Sequence, residues 1–341
     1  MKEILISAND SGQRVDRFLK KYLAKAPLSA IYKIIRKDVK LNGKRPKENA
    51  VLSEGDVLCL YMMDEEIAAW SEKEKRAAVK RQFKIAYEDE NILAAEKPFG
   101  LLTHGDATEK KNTLANQVTD YLIAKGEYSP AKEKSFRPAP ANRLDRNTTG
   151  LVMFGKNAAA LRCLNALFAD KESGRMRKIY LAICEGEIKE DLVLEGWLLK
   201  DEKTNKVKIL KKEAPGAKYI KTSIRPLAVT KRGDRDADLD AAPNERAAKG
   251  RAQSRAKTLC EIDLVTGRPH QIRAHLASIG YPVMGDPKYG KGSAQMLHAS
   301  RIEFVEPEGE LSYLAGRVIT AELPPKFMET TEKLFGKDIL K

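Results

Sequence analysis

Chemistry is first legible in this 341-residue chain at a lone carboxylate set between two arginines, in the run Asn142-Arg143-Leu144-Asp145-Arg146-Asn147-Thr148-Thr149-Gly150-Leu151. Flanking guanidinium groups favour the ionised form of Asp145, and an ionised carboxylate can serve as a nucleophile or a base. Gly150 lets the backbone bend before the apolar strand-like run Leu151-Val152-Met153-Phe154. A surface acid in a charged turn fits the same residues, because short motifs misfire. The rest of the chain has to decide between the two.

Two further segments carry polar groups in suggestive places. In Lys178-Ile179-Tyr180-Leu181-Ala182 the tyrosine lies in a strand. Its ring could give an unpaired base a flat face and a polar tip, or it could simply fill a core. The other is Gly267-Arg268-Pro269-His270-Gln271-Ile272-Arg273-Ala274-His275-Leu276, followed by Gly280. Pro269 suits a helix's first turn and Gly280 its end. Arg273 on that helix could hold a buried carboxylate ionised and oriented through a bidentate contact, or lie at the surface.

Metal and redox chemistry find little support. Cys59, Cys163, Cys184 and Cys260 are far apart, which reads as buried, reduced thiols. Of the four histidines, His104, His270, His275 and His298, only His270 and His275 are close, and five residues do not put both rings on one helical face. No metal site is expected.

The elements that must carry these residues fall into two groups. Near the start, Val15, Phe18, Leu19, Tyr22 and Leu23 recur at helical spacing. A second short helix has Ser29 as its N-cap, Ile31, Ile34 and Ile35 as its buried stripe, and Lys33, Arg36 and Lys37 on another face. Val39 and Leu41 lead into the turn Asn42-Gly43, and Gly55-Asp56 precedes the strand Val57–Tyr61. With Lys40, Lys44, Arg45 and Lys47 beside the helix, one end of a module of residues 1–62 becomes a basic ridge suited to RNA phosphates.

Residues 63–80 are rich in Glu, Lys and Ala and read as a solvated linker, partly helical. Beyond it strands are predicted at Ile92–Ala95, Ile179–Cys184 and around Cys260, Ile262 and Leu264, with a helix capped by Asn157 between them. Strands and helices mingle without a regular βαβ period. The expectation is an α+β domain over 81–335, built around a mixed, mostly antiparallel sheet, behind a small α/β module. Within it, 231–256 contains one leucine amid alanines and dense charge of both signs, the composition of a disordered or protruding insertion.

A formal net charge of +14, from 62 Lys+Arg against 48 Asp+Glu, makes a polyanionic partner the leading expectation. The first ten residues hold too short an apolar run for a secretory signal, and no later run approaches membrane-spanning length. A soluble cytoplasmic monomer with no membrane partner is expected.

Resemblance sharpens both groups. The run Arg14-Val15-Asp16-Arg17-Phe18-Leu19, with Ile34-Ile35-Arg36-Lys37, Val39-x-Leu41-Asn42-Gly43-Lys44 and Gly55-Asp56, resembles the ribosomal-protein S-four-like RNA-binding module. It departs in reading Arg36-Lys37-Asp38-Val39, where such modules usually carry a glycine after the basic helix. Asn142–Leu151, Lys178–Ala182, Gly267–Gly290 and Leu297-His298-Ala299, with the opening Glu96-Lys97-Pro98-x-Gly100 and His104, resemble the RluA/RluC/RluD family of RNA pseudouridine synthases. The resemblance spans about 81–305.

It implies Asp145 as the catalytic aspartate and Arg143 as a residue holding the flipped-out nucleotide. It further implies Tyr180 against the target base, Arg273 paired with Asp145, and ribosomal RNA of the large subunit as partner. Asn142 and Thr149 stand where many members have histidine and serine. Isomerising uridine breaks and remakes bonds between one base and one sugar with no redox change, so no cofactor or metal is expected.

Three other classes compete. Gly285–Lys291 nearly spells a P-loop, but Gly292 stands where that motif needs a hydroxyl for magnesium. A non-catalytic RNA-binding or ribosome-assembly protein, and a hydrolase releasing free uracil, share the expected residues.

Overall fold

The structure is a computed structural model describing residues 1–71, 77–170, 173–201, 206–230 and 256–340. The insertion expected at 231–256 and the middle of the linker, 72–76, lie almost wholly outside the described residues.

The first seventy residues fold around their own core. Strands β1 (Lys2–Leu5), β2 (Val39–Leu41) and β3 (Val57–Leu60) form an antiparallel sheet in the order β1-β3-β2. Helix α1 (Val15–Tyr22) buries Val15, Phe18 and Leu19 against it, and α2 (Leu28–Lys37) buries Ile31, Ile34 and Ile35, as the apolar spacing predicts. Helix α2 starts earlier than expected: Pro27, not Ser29, is the N-cap, and no side chain caps the helix. Proline's fixed φ suits that position and needs no hydroxyl.

Helix α2 ends at Asp38 with φ −118°, so this turn does not require a glycine. Asn42 and Gly43, at φ 50° and 78°, make the expected tight turn. Part of the expected linker is helix α3 (Asp64–Ser71), whose Ile67 and Trp70 pack on this first core. A linker read as solvated therefore belongs in part to the module's packing.

The remainder is built on an eleven-stranded sheet. Its strands are β4 (Lys84–Glu88), β5 (Ile92–Lys97), β6 (Ala139–Pro140), β7 (Thr149–Gly155), β8 (Met176–Glu185), β9 (Leu192–Asp201), β10 (Lys206–Leu210), β11 (Lys218–Val229), β12 (Lys257–Asp263), β13 (Leu297–Phe304) and β14 (Val318–Thr320). They run in the order β10-β9-β11-β12-β8-β13-β7-β5-β4, with β14 on β13 and β6 on β7. Among the named strands of the described residues only β7 and β13 pair in parallel, so the sheet is mixed and mostly antiparallel.

Strand β7 is buried along its whole length. Val152 and Phe154 enter the core holding α4 (Leu114–Ala124), while Leu151 and Met153 face α5 (Ala158–Ala169). A strand covered on both faces reads as a continuous apolar run, which is why this one is legible. Asn157 caps α5 by accepting from the Ala160 N–H at 2.8 Å, as predicted. Gly150 sits at φ +107°, and an added Cβ would lie 2.1 Å from the Ala299 carbonyl oxygen of β13. The bend that starts β7 therefore tolerates only glycine. Of the cysteines, Cys184 and Cys260 are buried, whereas Cys59 and Cys163 are half-buried, a partial correction to the expectation of four buried thiols.

Two buried histidines make internal ties, His298 between strands β13 and β7 and His275 from the helix over Gln271–Ser278 to strand β11. The His298 Nδ1 lies 2.8 Å from the Thr149 hydroxyl, and the His275 Nδ1 2.8 Å from that of Thr222. Both Nε2 atoms are buried without a hydrogen-bond partner among the described residues. Burial disfavours the imidazolium at both and holds both pKa values down to about 4 from the usual 6.5, alone at His275 and against a weaker opposing pull of the Ala321 backbone at His298.

At these two sites the folded chain thus binds fewer protons than the unfolded one between those limits, so their contribution to stability falls as pH is lowered from 6.5 to 4. Each histidine contributes at most about 3 kcal/mol of that loss. Urea unfolding across this range should show the fall, with a shallower profile in His298→Gln. Parallel profiles would contradict it.

Candidate active site

The segment that delivers Asp145 is pinned from several sides. Asn142 reaches forward to β7, donating from Nδ2 to the Leu151 carbonyl at 3.2 Å and accepting the Met153 N–H on Oδ1 at 2.8 Å. The Thr103 hydroxyl donates to the Leu144 carbonyl at 3.1 Å and accepts the Leu144 N–H at 3.2 Å. The Gln295 amide donates to the Thr148 hydroxyl at 2.8 Å. Thr149, beside it, turns into the core to meet His298.

A buried lysine closes the fourth side. Lys97, at the end of β5 and 1% exposed, donates to the carbonyls of Pro98, Leu101 and Arg146 at 2.9, 2.8 and 2.9 Å. Burial pulls its pKa down to about 7, against the pull of the Asp145 charge. Three carbonyls from two loops on one ammonium fix the backbone immediately after Asp145.

Asp145 itself points at helix α6 (Gln271–Ser278). Arg273 donates from Nη1 to Asp145 Oδ2 at 2.8 Å, and from Nε and Nη2 to the two oxygens of Asp286 at 2.7 and 2.9 Å. Asp286 is fully buried and also accepts the N–H groups of Lys288 and Tyr289 at 2.8 and 3.0 Å. Burial pushes the Asp286 carboxyl up, but the Arg273 guanidinium more than reverses this and holds it below the usual carboxylate range. Burial likewise opposes the guanidinium charge, and Asp286 and Asp145 together carry its pKa upward. The Tyr289 ring lies 5.2 Å from the guanidinium carbon.

All four residues expected at the site come together. Asp145, Arg143, Tyr180 and Arg273 line one cavity of about 730 Å³. Arg143 is exposed, whereas Tyr180 is buried, and burial and then the Asp145 charge push its phenol upward. Leu144, Leu264, Ile272 and Leu297 supply apolar wall, while Lys178, Arg268 and Lys288 add positive charge. His104 also lines it. The six basic residues of the N-terminal module, Lys33, Arg36, Lys37, Lys40, Lys44 and Arg45, lie apart from this cavity and are all exposed.

Sequence reasoning misses three parts. Asp286, the far end of the charge chain, falls within the resembling run Gly267–Gly290 but is given no role there, and otherwise reads as part of a failed P-loop. That run is instead a tight turn, in which Gly285 at φ +71° brings its Cα so near Ala294 that a Cβ would lie 2.1 Å from the carbonyl oxygen. Lys97 gives no sign of burial beyond its place at a strand end. His270 is hidden because the pattern starts α6 at Pro269. The helix starts at Gln271, and His270 is its N-cap in the left-handed conformation.

A mixed sheet carrying one cationic cavity, with a carboxylate–guanidinium–carboxylate chain in its wall, defines an α+β enzyme fold rather than a phosphate-loop one. Residues 91–278 match the family model described as RNA pseudouridylate synthase, over half the chain, and the chain belongs to that family of isomerases. It is similar to ribosomal large subunit pseudouridine synthase C of Vibrio vulnificus, 30% identical over 89% of each chain. The enzyme of that name from Escherichia coli K12 is 28% identical over 95% of this chain and 93% of the relative. An uncharacterized RNA pseudouridine synthase of Mycoplasma capricolum is 28% identical over 94% and 97%. Human RNA pseudouridylate synthase domain containing 1 shares the fold, with a TM-score of 0.51 and 18% identity over 77% of this chain and 91% of its own.

Proposed function

We propose that this RNA pseudouridine synthase isomerises uridines in large-subunit ribosomal RNA, with Asp145 as the reacting carboxylate. The observation that carries the reading is the Asp286–Arg273–Asp145 chain, which holds one carboxylate at the wall of a cavity roomy enough for a nucleotide and lined by Arg143, Lys178, Arg268 and Lys288. The named relatives supply the ribosomal substrate.

A uridine can reach that cavity only by leaving its stack, at a cost of a few kcal/mol. In this reading Tyr180 contacts the extruded base, Arg143 holds the nucleotide at the mouth, and the apolar wall keeps water from the reactive sugar. Attack on the base, attack on the sugar and removal of a sugar proton all need an oriented carboxylate, and the hydrogen bond from Arg273 supplies the orientation. The detached uracil must turn within the pocket so that carbon 5 replaces nitrogen 1 at the sugar.

Residues 1–62, S-four-like by resemblance, serve in this reading to bring the RNA to the pocket. Lys33, Arg36, Lys37, Lys40, Lys44 and Arg45 are exposed there on helix α2, strand β2 and the turn that follows. That arrangement suits phosphate contacts rather than base readout.

Native protein should release tritium from RNA labelled at carbon 5 of uracil, and Asp145→Asn should not. Equal release from both would reject Asp145, and free uracil in the products would identify a hydrolase. For the module, Arg36→Ala with Lys37→Ala should weaken RNA binding and flatten its log–log salt dependence by about 1 for each phosphate that the variant no longer neutralises. An unchanged slope would remove the ridge from RNA binding.

A further inference from the structure

One residue in the cavity wall has a geometry to which the roles proposed for Asp145, Arg143 and Tyr180 give no use. His270 is one of two non-glycine residues with positive φ among those described, at φ 56° and ψ 14°, a conformation uncommon outside glycine and kept only where neighbours hold it. What holds it is Tyr289. The His270 Nδ1 lies 2.9 Å from the Tyr289 hydroxyl, and the two rings meet edge to face with centroids 5.7 Å apart. That hydroxyl also accepts the Val207 N–H from β10 at 3.0 Å, so the tyrosine is itself held from a third element. The opposite ring nitrogen, Nε2, lies 3.9 Å from Asp145 Oδ1, too far for a strong hydrogen bond but on the same wall of the same cavity.

The reaction leaves a task for such a group. Once carbon 5 has bonded to the sugar it still carries its hydrogen, and the ring holds a double bond between carbon 6 and nitrogen 1. Removing that proton makes the carbon–hydrogen pair the new carbon 5–carbon 6 double bond. The carbon 6–nitrogen 1 pair then moves onto nitrogen 1, which takes up one proton. One proton is lost and one gained, so no other reactant enters. The base must lie close to the carboxylate that met the nucleotide, because the proton leaves from the atom joined to the sugar.

Other groups around the cavity are poorly suited. Arg143, Arg268 and Arg273 have no free lone pair, Lys178 and Lys288 are cationic, Tyr180 is buried, which disfavours its phenolate, and Asp145 is tied to Arg273; the other imidazole in the lining, His104, is exposed, whereas His270 stands 3.9 Å from Asp145.

We propose that His270 is the base that takes the proton from carbon 5, through Nε2, with Tyr289 as the residue that positions its ring. In this arrangement Nδ1 donates to the Tyr289 hydroxyl, which leaves the Nε2 lone pair facing the cavity. The groups that face the imidazole are Asp145 from the 142–149 loop, Arg273 from α6, and Asp286, Lys288 and Tyr289 from the turn after it. Burial lowers the His270 pKa below its ordinary value, ahead of the opposing pull of Asp145, so the ring is neutral and able to accept a proton near neutral pH. The inference rests on the assignment of Asp145 made above.

The test is single-turnover pseudouridine formation on RNA bearing protium or deuterium at carbon 5, with native protein and His270→Asn. Asparagine is chosen because it tolerates the left-handed backbone. The variant should be slower by about 100-fold or more and should show a primary deuterium effect larger than the native one. It should also lose the native decline in rate below the histidine's pKa. A native rate, or a slower rate with no rise in the isotope effect, would overturn the proposal. If His270→Asn fails to fold, Tyr289→Phe replaces it: a raised isotope effect supports the role, and an unchanged one contradicts it. Failure of the native protein to form any pseudouridine would instead strike the assignment of Asp145.

Discussion

Arg273 satisfies two carboxylates at once, and the geometry of the cavity follows from how it divides its donors. The planar fork of Nε and Nη2 is taken by Asp286, which is fully buried and further fixed by two backbone N–H groups. That leaves Nη1 for the cavity side, and Asp145 receives it at 2.8 Å. Had Arg273 faced Asp145 alone, the contact could have rotated about a single hydrogen bond. A guanidinium whose plane is set from behind is a rigid donor.

Such a chain is a poor way to gain stability. Buried ion pairs repay little of the cost of removing charges from water, yet losing one partner typically costs about 3 to 5 kcal/mol because the other charge is stranded. Their value here is in placement. The fold supports that placement from independent directions: Gly285 allows the tight turn that carries Asp286, Gly150 allows β7 to begin beside Asp145, and Lys97 ties the loop after Asp145 to the end of β5. The elements come from four separate parts of the chain, so the site exists only when the sheet order is complete. Stability and chemistry are coupled through the same few backbone positions.

Much of this is readable in advance where a local rule is decisive. Strand β7 is buried on both faces, and so its sequence is an unbroken apolar run behind a glycine. The stripes of α1 and α2 follow helical spacing, and Asn157 caps α5 with the side chain its type suggests. Reading fails where the deciding contact is distant or backbone-made. Asp286 looks like part of a phosphate loop because nothing local reveals that Arg273 will reach it. Lys97 stands in the opening motif with no local sign of its burial, because its three acceptors are carbonyls, which no side-chain pattern reports. His270 is invisible as a special position because its left-handed backbone is held by Tyr289, nineteen residues on.

If Arg273 transmits the position of Asp286 to Asp145, the two residues act as one unit, and their effects on rate cannot be independent. The direct measurement is a double-mutant cycle on the single-turnover rate of pseudouridine formation, using Arg273→Lys, Asp286→Asn and the pair together. The double variant should be no more than a few-fold slower than the slower single variant. Losses that multiply, as for two unconnected sites, would contradict the account.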